Sequence, residues 1–198
     1  FLANQTGIYN PQGLAFDSNN RILYYSDSSN AIIRKVNLTE NPRRVFTIAG
    51  TNGISDFFGE NNSNASLALL NRPKTLFFSS IQNCLYFFDF QNFRIRKINI
   101  NYLNNNNTIS TFMGNGTYLD SNGFDDLNDG GLAINAIMSS TIPSFVEDSN
   151  GNFYFADLFN KRIRFINIQG FVNNFAGIGN FNKLDGYDAF FGQFNLPY

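Results

Sequence analysis

Three aspartates, Asp27, Asp89 and Asp157, recur at the head of the same tetrad, Asp-x-x-Asn, which closes at Asn30, Asn92 and Asn160. Recurrent carboxylates are where acid–base or metal chemistry would first be sought. Two positioned acids suffice for glycoside hydrolysis, but these tetrads lie between apolar runs, where Asp and Asn hydrogen-bond their own backbone in tight turns. A structural role is the simpler expectation. The chain contains no histidine, which removes Ser-His-Asp and Cys-His nucleophile systems and every imidazole-ligated zinc centre. A single cysteine, Cys84, cannot form an internal disulfide or a multi-thiolate site; its apolar strand context predicts a buried, inert thiol. The densest acidic stretch carries Asp120, Asp125, Asp126 and Asp129. Clustered Asp and Asn in a glycine-rich loop could supply some of the six to eight oxygens calcium needs. The spacing does not match the twelve-residue calcium loop, because no Glu closes it and Phe124 stands at a ligand position. A solvated loop is expected, with calcium the one cofactor left open. Glycine-rich pieces such as AGTNG and GNGTY have no following helix or lysine, so no phosphate cradle is read there.

Binding, by contrast, has several candidate residues. Arg34, Arg96 and Arg164 recur once per copy and could form a column for an anionic partner. The competing expectation is that their stems cover apolar surface while the guanidiniums pair with nearby carboxylates or carbonyls. Phe57, Phe58, Tyr118, Phe190 and Phe191 sit between the repeated stretches and are candidate aromatic anchors. The alternative is that they fold back and pack. Six Asn-x-Ser/Thr sequons, at Asn4, Asn37, Asn61, Asn64, Asn106 and Asn115, fall mostly in predicted turns or connectors where a glycan could be carried.

The elements that must hold these residues are set by a threefold internal repeat. It reads NPQGLAF…ILYYSDSSNAIIRKVN…VFTIAGTNG, then NRPKTLFF…LYFFDFQNFRIRKIN…ISTFMGNG, then TIPSFVE…FYFADLFNKRIRFIN…VNNFAGIG, and a fourth copy opens at FNLPY. Within each copy the apolar runs are short and no 3.6-residue periodicity persists, which predicts four antiparallel strands per copy. That unit is one propeller blade. Pro11, Pro73 and Pro143 head the first strand, where a missing N–H removes no ladder bond. Strands such as ILYY and LYFF are apolar on both faces, so neighbouring blades should cover both sides.

The order Pro-x-x-hydrophobic, Asp-x-x-Asn-x-x-Ile-Arg, Ala-Gly-x-Gly resembles the NHL repeat, a β-propeller module. The stretches DGGLAINAIMSSTIP and DGYDAFFGQFNLP are similar to the glycine-rich connectors that join such blades. What the resemblance implies is a scaffold that binds proteins, RNA or small ligands and is seldom catalytic. Lyases among similar propellers use histidine-ligated metal, which has no counterpart here. The chain departs from the pattern in its long connectors, with the prolines that head successive copies, Pro11, Pro73, Pro143 and Pro197, 62, 70 and 54 residues apart.

The expected fold is therefore all-β: three four-stranded blades at about 7–53, 70–116 and 141–179, connectors at 54–69, 117–140 and 180–193, and the start of a further blade at 194–198. Three blades and a fraction do not close a ring of four to eight, so a fragment of a larger or multi-chain propeller is expected. The opening FLANQTG, with no initiator Met, suggests numbering that starts inside a longer or processed chain.

Composition narrows the function. Hydrophobic residues make up 43% of 198, enough for a sizeable core, and the wealth of Phe and Asn is read as nucleotide bias in the source. A net charge of −1 with no basic stripe argues against nucleic acid. No apolar run is long enough to insert in a membrane. The expectation is a non-catalytic protein-binding or structural module of an extracellular or cell-surface glycoprotein, with a protein partner or self-association through blade edges and connectors. The alternatives are a carboxylate- or calcium-dependent ligand-binding or enzymatic propeller, and third an intracellular RNA- or protein-binding scaffold.

Overall fold

The computed structural model describes residues 2–119, 127–142 and 144–178. Each repeat forms one antiparallel sheet with its strands in chain order. The first comprises β1 (Pro11–Asp17), β2 (Ile22–Asp27), β3 (Ile32–Asn37) and β4 (Val45–Ala49). The second comprises β6 (Pro73–Ser79), β7 (Cys84–Asp89), β8 (Arg94–Asn99) and β9 (Thr108–Met113), with the two-residue β5 (Ser63–Asn64) added outside β9. The third comprises β10 (Phe145–Glu147), β11 (Phe153–Asp157), β12 (Arg162–Ile166) and β13 (Val172–Ala176). No described helix is long and apolar enough to cross a membrane.

Hydrophobic pairing fixes the registers. In the first sheet Leu14 faces Tyr25 and Phe16 faces Leu23, and in the second Leu76 faces Phe87 and Phe78 faces Leu85, the same register displaced by one repeat. The chain divides into two compact units, 1–111 and 112–198. In the first unit, one core joins Ala15, Ile22, Tyr24 and Ile33 of the first sheet to Leu76, Leu85, Phe87 and Ile98 of the second. Tyr24 stacks on Phe78 with ring centroids 5.6 Å apart. The two sheets close to backbone contact at Gly13, where a Cβ would lie 2.9 Å from the Leu76 amide nitrogen. In the second unit Phe145, Phe153, Phe155 and Ile166 are buried, while Val146 and Phe175 on the opposite face are exposed.

The connectors differ from the sequence expectation of segments free to meet a partner. Ala65, Ala68 and Leu70 of the first are fully buried, and so, nearly, are Ala133, Ala136 and Met138 of the second. Each pair of alanines brackets a single 3₁₀ turn, Ala65–Leu67 and Ala133–Asn135. The glycine ending the last strand donates its N–H to the first alanine's carbonyl, Gly50 to Ala65 and Gly114 to Ala133, both at 3.0 Å. A small side chain is what lets this turn lie against the sheet. The connectors are thus structural parts of the repeat.

Candidate functional site

The recurrent aspartates form a highly built polar feature repeated in each of the three sheets. In each copy the Asp ends the second strand, the tetrad turns the chain, and a residue in the left-handed region, Ala31 (φ 56°), Phe93 (φ 48°) or Lys161 (φ 53°), immediately precedes the third strand. The turn brings Asn back onto Asp: Asn30 Nδ2 lies 2.9 Å from Asp27, Asn92 Nδ2 2.9 Å from Asp89, and Asn160 Nδ2 3.0 Å from Asp157. Seven residues beyond each Asp, an arginine on the same face approaches the carboxylate, at the oxygen that the Asn leaves free in Asp27 and Asp157 and at the oxygen it shares with Asn92 in Asp89. The distances are 2.8 Å for Arg34–Asp27, 3.3 Å for Arg96–Asp89 and 3.2 Å for Arg164–Asp157.

A third donor comes from the segment leading into the sheet. The backbone N–H of Tyr9, Asn71 and Ser139, each eighteen residues before the aspartate, donates to it at 2.8, 2.7 and 3.0 Å. The arginines complete the seal. Arg96 donates to the Gly59 carbonyl, and Arg164 donates to the carbonyls of Leu127 (2.8 Å) and Ile137 (2.9 Å) while pairing with Asp129. All three carboxylates are fully buried. Burial pushes the Asp89 carboxyl up to about 6, against the pull of Arg96, the Asn71 N–H and Asn92. A buried charge is tolerable only when its partners surround it in this way.

This geometry settles where the candidate residues fall. The side chains of Arg96 and Arg164 are fully buried and that of Arg34 is 12% exposed, and all three guanidiniums pair with carboxylates and carbonyls, so they do not stand as an open column for an anionic partner. Asp129, one of the calcium candidates, accepts from Arg162 at 3.1 Å and Arg164 at 2.9 Å. Asp120, Asp125 and Asp126 lie outside the described residues, as do Phe190, Phe191 and the stretch 194–198. No cluster of three or more metal-binding side chains occurs among the described residues. Cys84 is buried, its sulfur 3.1 Å from the Gln82 carbonyl and from Asn99 Oδ1.

The aromatic candidates divide. Phe57 folds back, its ring centroid 3.8 Å from the Arg94 guanidinium and 5.0 Å from that of Arg96, a packing role for a residue expected to be exposed. Phe58, its neighbour, points outward and is 57% exposed. Its main chain is pinned by reciprocal bonds to Leu69, at 3.3 and 3.2 Å. Tyr118 is 48% exposed. Among the sequons, Asn4, Asn61, Asn64, Asn106 and Asn115 are exposed and Asn37 is half-buried. The alanine spacing of the connectors and the amides eighteen residues upstream were missed from the sequence. The first was available as Ala-x-x-Ala at 65/68 and 133/136; the second had no side-chain signal at all.

No family model and no curated protein matches the chain. Solved structures do. An auxiliary nutrient binding protein from Bacteroides ovatus matches with a TM-score of 0.69 at 17% identity, over 96% of this chain and 42% of that one. An auxiliary nutrient binding protein from Bacteroides thetaiotaomicron matches at 0.65 and 21% identity, over 95% and 42%. The structure of the nidogen/laminin complex matches at 0.51 and 17%, over 83% and 47%. This chain therefore spans less than half the length of the structures it matches. The likeness shows the fold: an all-β segment of β-propeller type, built of four- to five-stranded antiparallel blades.

Proposed function

We propose that the chain is an NHL-type propeller segment serving as a non-catalytic binding or structural module of an extracellular or cell-surface glycoprotein. The observation that carries this reading is Phe58, an exposed aromatic whose main chain is held by a reciprocal pair of hydrogen bonds to Leu69 across the connector. Rigid aromatic groups of this kind are effective interface anchors, because little conformational entropy is lost on contact. Ile54 and Leu67 of the same connector are also exposed. The recurrent acids support the non-catalytic half of the reading, since guanidiniums, amides and Asn side chains occupy them. The names of the two Bacteroides proteins refer to nutrient binding and that of the third structure to a complex with laminin, so binding is the role they bring to this chain. Exposed sequons at Asn64 and Asn115 suit a glycoprotein.

Two measurements test it. Binding of the purified chain to immobilised extracellular-matrix proteins and glycans should be lost in Phe58→Ala with the melting temperature unchanged; a variant that binds like the wild type, or no binding at all, refutes the anchor. Peptide N-glycosidase should lower the mass of the protein purified from its source; an unchanged mass refutes the glycoprotein reading.

A further inference from the structure

The arginines that recur in every copy are taken up by the aspartates, but three that belong to the first copy alone are not. Arg21 stands in the hairpin between β1 and β2, and Arg43 and Arg44 end the loop before β4. The copies align on the pairs Tyr25–Arg34, Phe87–Arg96 and Phe155–Arg164 and on the closing glycines Gly50, Gly114 and Gly177. At these three positions the second copy then has Asn83, Asn107 and Thr108, and the third has Gly151, Gly170 and Phe171. The hairpin does not ask for arginine: φ is 53° at Arg21, and the same left-handed backbone is held by Asn83 (54°) and Gly151 (82°), residue types that adopt it more readily. All three arginines are exposed, and among the described residues none of their guanidiniums has an ion pair or hydrogen bond.

The sheet gathers these side chains at one end. Ile22 pairs with Asn37, Val36 pairs with Val45, and the Leu38 N–H donates to the Arg21 carbonyl at 2.9 Å. Arg21, Leu38 and Arg43 therefore continue one row across the sheet, and strand spacing sets Arg21 and Arg43 about 10 Å apart along it. Arg43 lines a cleft of about 550 Å³ with Thr39 and Glu40, and Arg44 lines a second of about 340 Å³ beside the exposed Phe46. Charge is distributed to match. Residues 1–111 carry ten Lys and Arg against six Asp and Glu, while residues 112–198 carry four against nine.

We propose that this end of the first sheet binds a sulfated polysaccharide. A guanidinium fork pairs with two oxygens of a sulfate or carboxylate through parallel N–H donors. Forks spread over about 10 Å of open surface fit successive anionic groups of a chain better than one small anion. Phe46 offers an apolar face to a sugar ring, and Thr39, Glu40 and Asn41 offer hydrogen-bond partners to its hydroxyls. A carboxylate at Glu40 suits a chain bearing hydroxyls as well as charges, and repels the unbroken phosphate run of a nucleic acid. The proposal rests on the reading of an extracellular binding module and names a ligand class for it, at a site that does not include Phe58.

Titration calorimetry of the 198-residue chain with heparin tests it. Heparin should bind in about 50 mM salt and weaken roughly tenfold or more by about 200 mM, and fully desulfated heparin should not bind. The triple variant Arg21→Asn, Arg43→Asn, Arg44→Thr installs the second copy's residues; it should lose about tenfold or more in affinity with its melting temperature unchanged. In the wild type, heparin should protect Arg43 and Arg44 from phenylglyoxal and leave the exposed Arg72 reactive. Absence of heparin binding, equal binding by the triple variant, or equal modification of Arg43 with and without heparin overturns the proposal. Tighter binding of a single-stranded RNA at the same salt also overturns it, in favour of a nucleic acid. Phe58→Ala should bind heparin like the wild type, so that failure here beside intact Phe58-dependent binding removes this site alone.

Discussion

Asp157 and Arg164 show what a side-chain pair is worth when it is sealed. The pair is fully buried and every nitrogen of the guanidinium meets a carboxylate or carbonyl, so removing one partner leaves an uncompensated charge, at a cost of about 3–5 kcal/mol. Arg34 has the same position but retains some solvent access and a weaker carbonyl contact. Arg164→Met is therefore expected to destabilise by about 3–5 kcal/mol in urea unfolding, and Arg34→Met by about 1–2 kcal/mol. Asp17 offers a pH test. Burial alone would raise its carboxyl, but the Tyr102 hydroxyl at 2.5 Å together with Asn20 and Asn19 outweighs burial and holds it below the ordinary 3.8. A carboxyl depressed on folding stabilises above its unfolded value, and that contribution is lost as pH falls through the folded one. Tyr102→Phe should lower stability at neutral pH by about 1–3 kcal/mol and narrow the acid limb of the stability curve, since less remains to be lost below about pH 4. Circular dichroism across pH 2–7 checks both.

At the scale of the strand and turn, the sequence was read correctly where a pattern repeats in side chains and incompletely where the main chain does the work. Pro11, Asp27 and Gly50 mark strand ends in the sequence, and β1, β2 and β4 start or stop at or beside them. Ala31, Phe93 and Lys161, by contrast, take left-handed backbone with none of the usual Gly or Asn, because the Asp–Asn clasp over-determines the turn. Gly50 is a position where the residue type is required. Its φ is +94° and a Cβ would stand 2.4 Å from the Ala31 carbonyl oxygen. Gly50→Ala is expected to cost about 2–4 kcal/mol, read as a lowered urea midpoint with the slope unchanged. The connectors were misjudged for a related reason: Ala65 and Ala68 are too small to stand out in a hydrophobicity pattern, yet their smallness is what admits the turn to the core.

For the molecule as a whole, the blades and their order were legible in the sequence because each copy checks the others. The polar lock was only half legible, since Asp, Asn and Arg recur visibly while the amide that joins them belongs to Tyr9, Asn71 and Ser139, three unrelated side chains. That amide makes the lock more than a turn motif: it fastens the segment entering each blade to the blade's own middle strands, and so turns a repeat in sequence into a unit of structure. The most direct measurement is amide hydrogen exchange at Asn71 and Ser139 at neutral pH. Both should exchange at least a hundredfold more slowly than the amide of an exposed loop residue such as Asn62, and Asp89→Asn should release Asn71 while leaving Ser139 protected. Exchange at Asn71 and Ser139 as fast as at Asn62 would contradict the lock, and with it the assignment of the recurrent aspartates to structure.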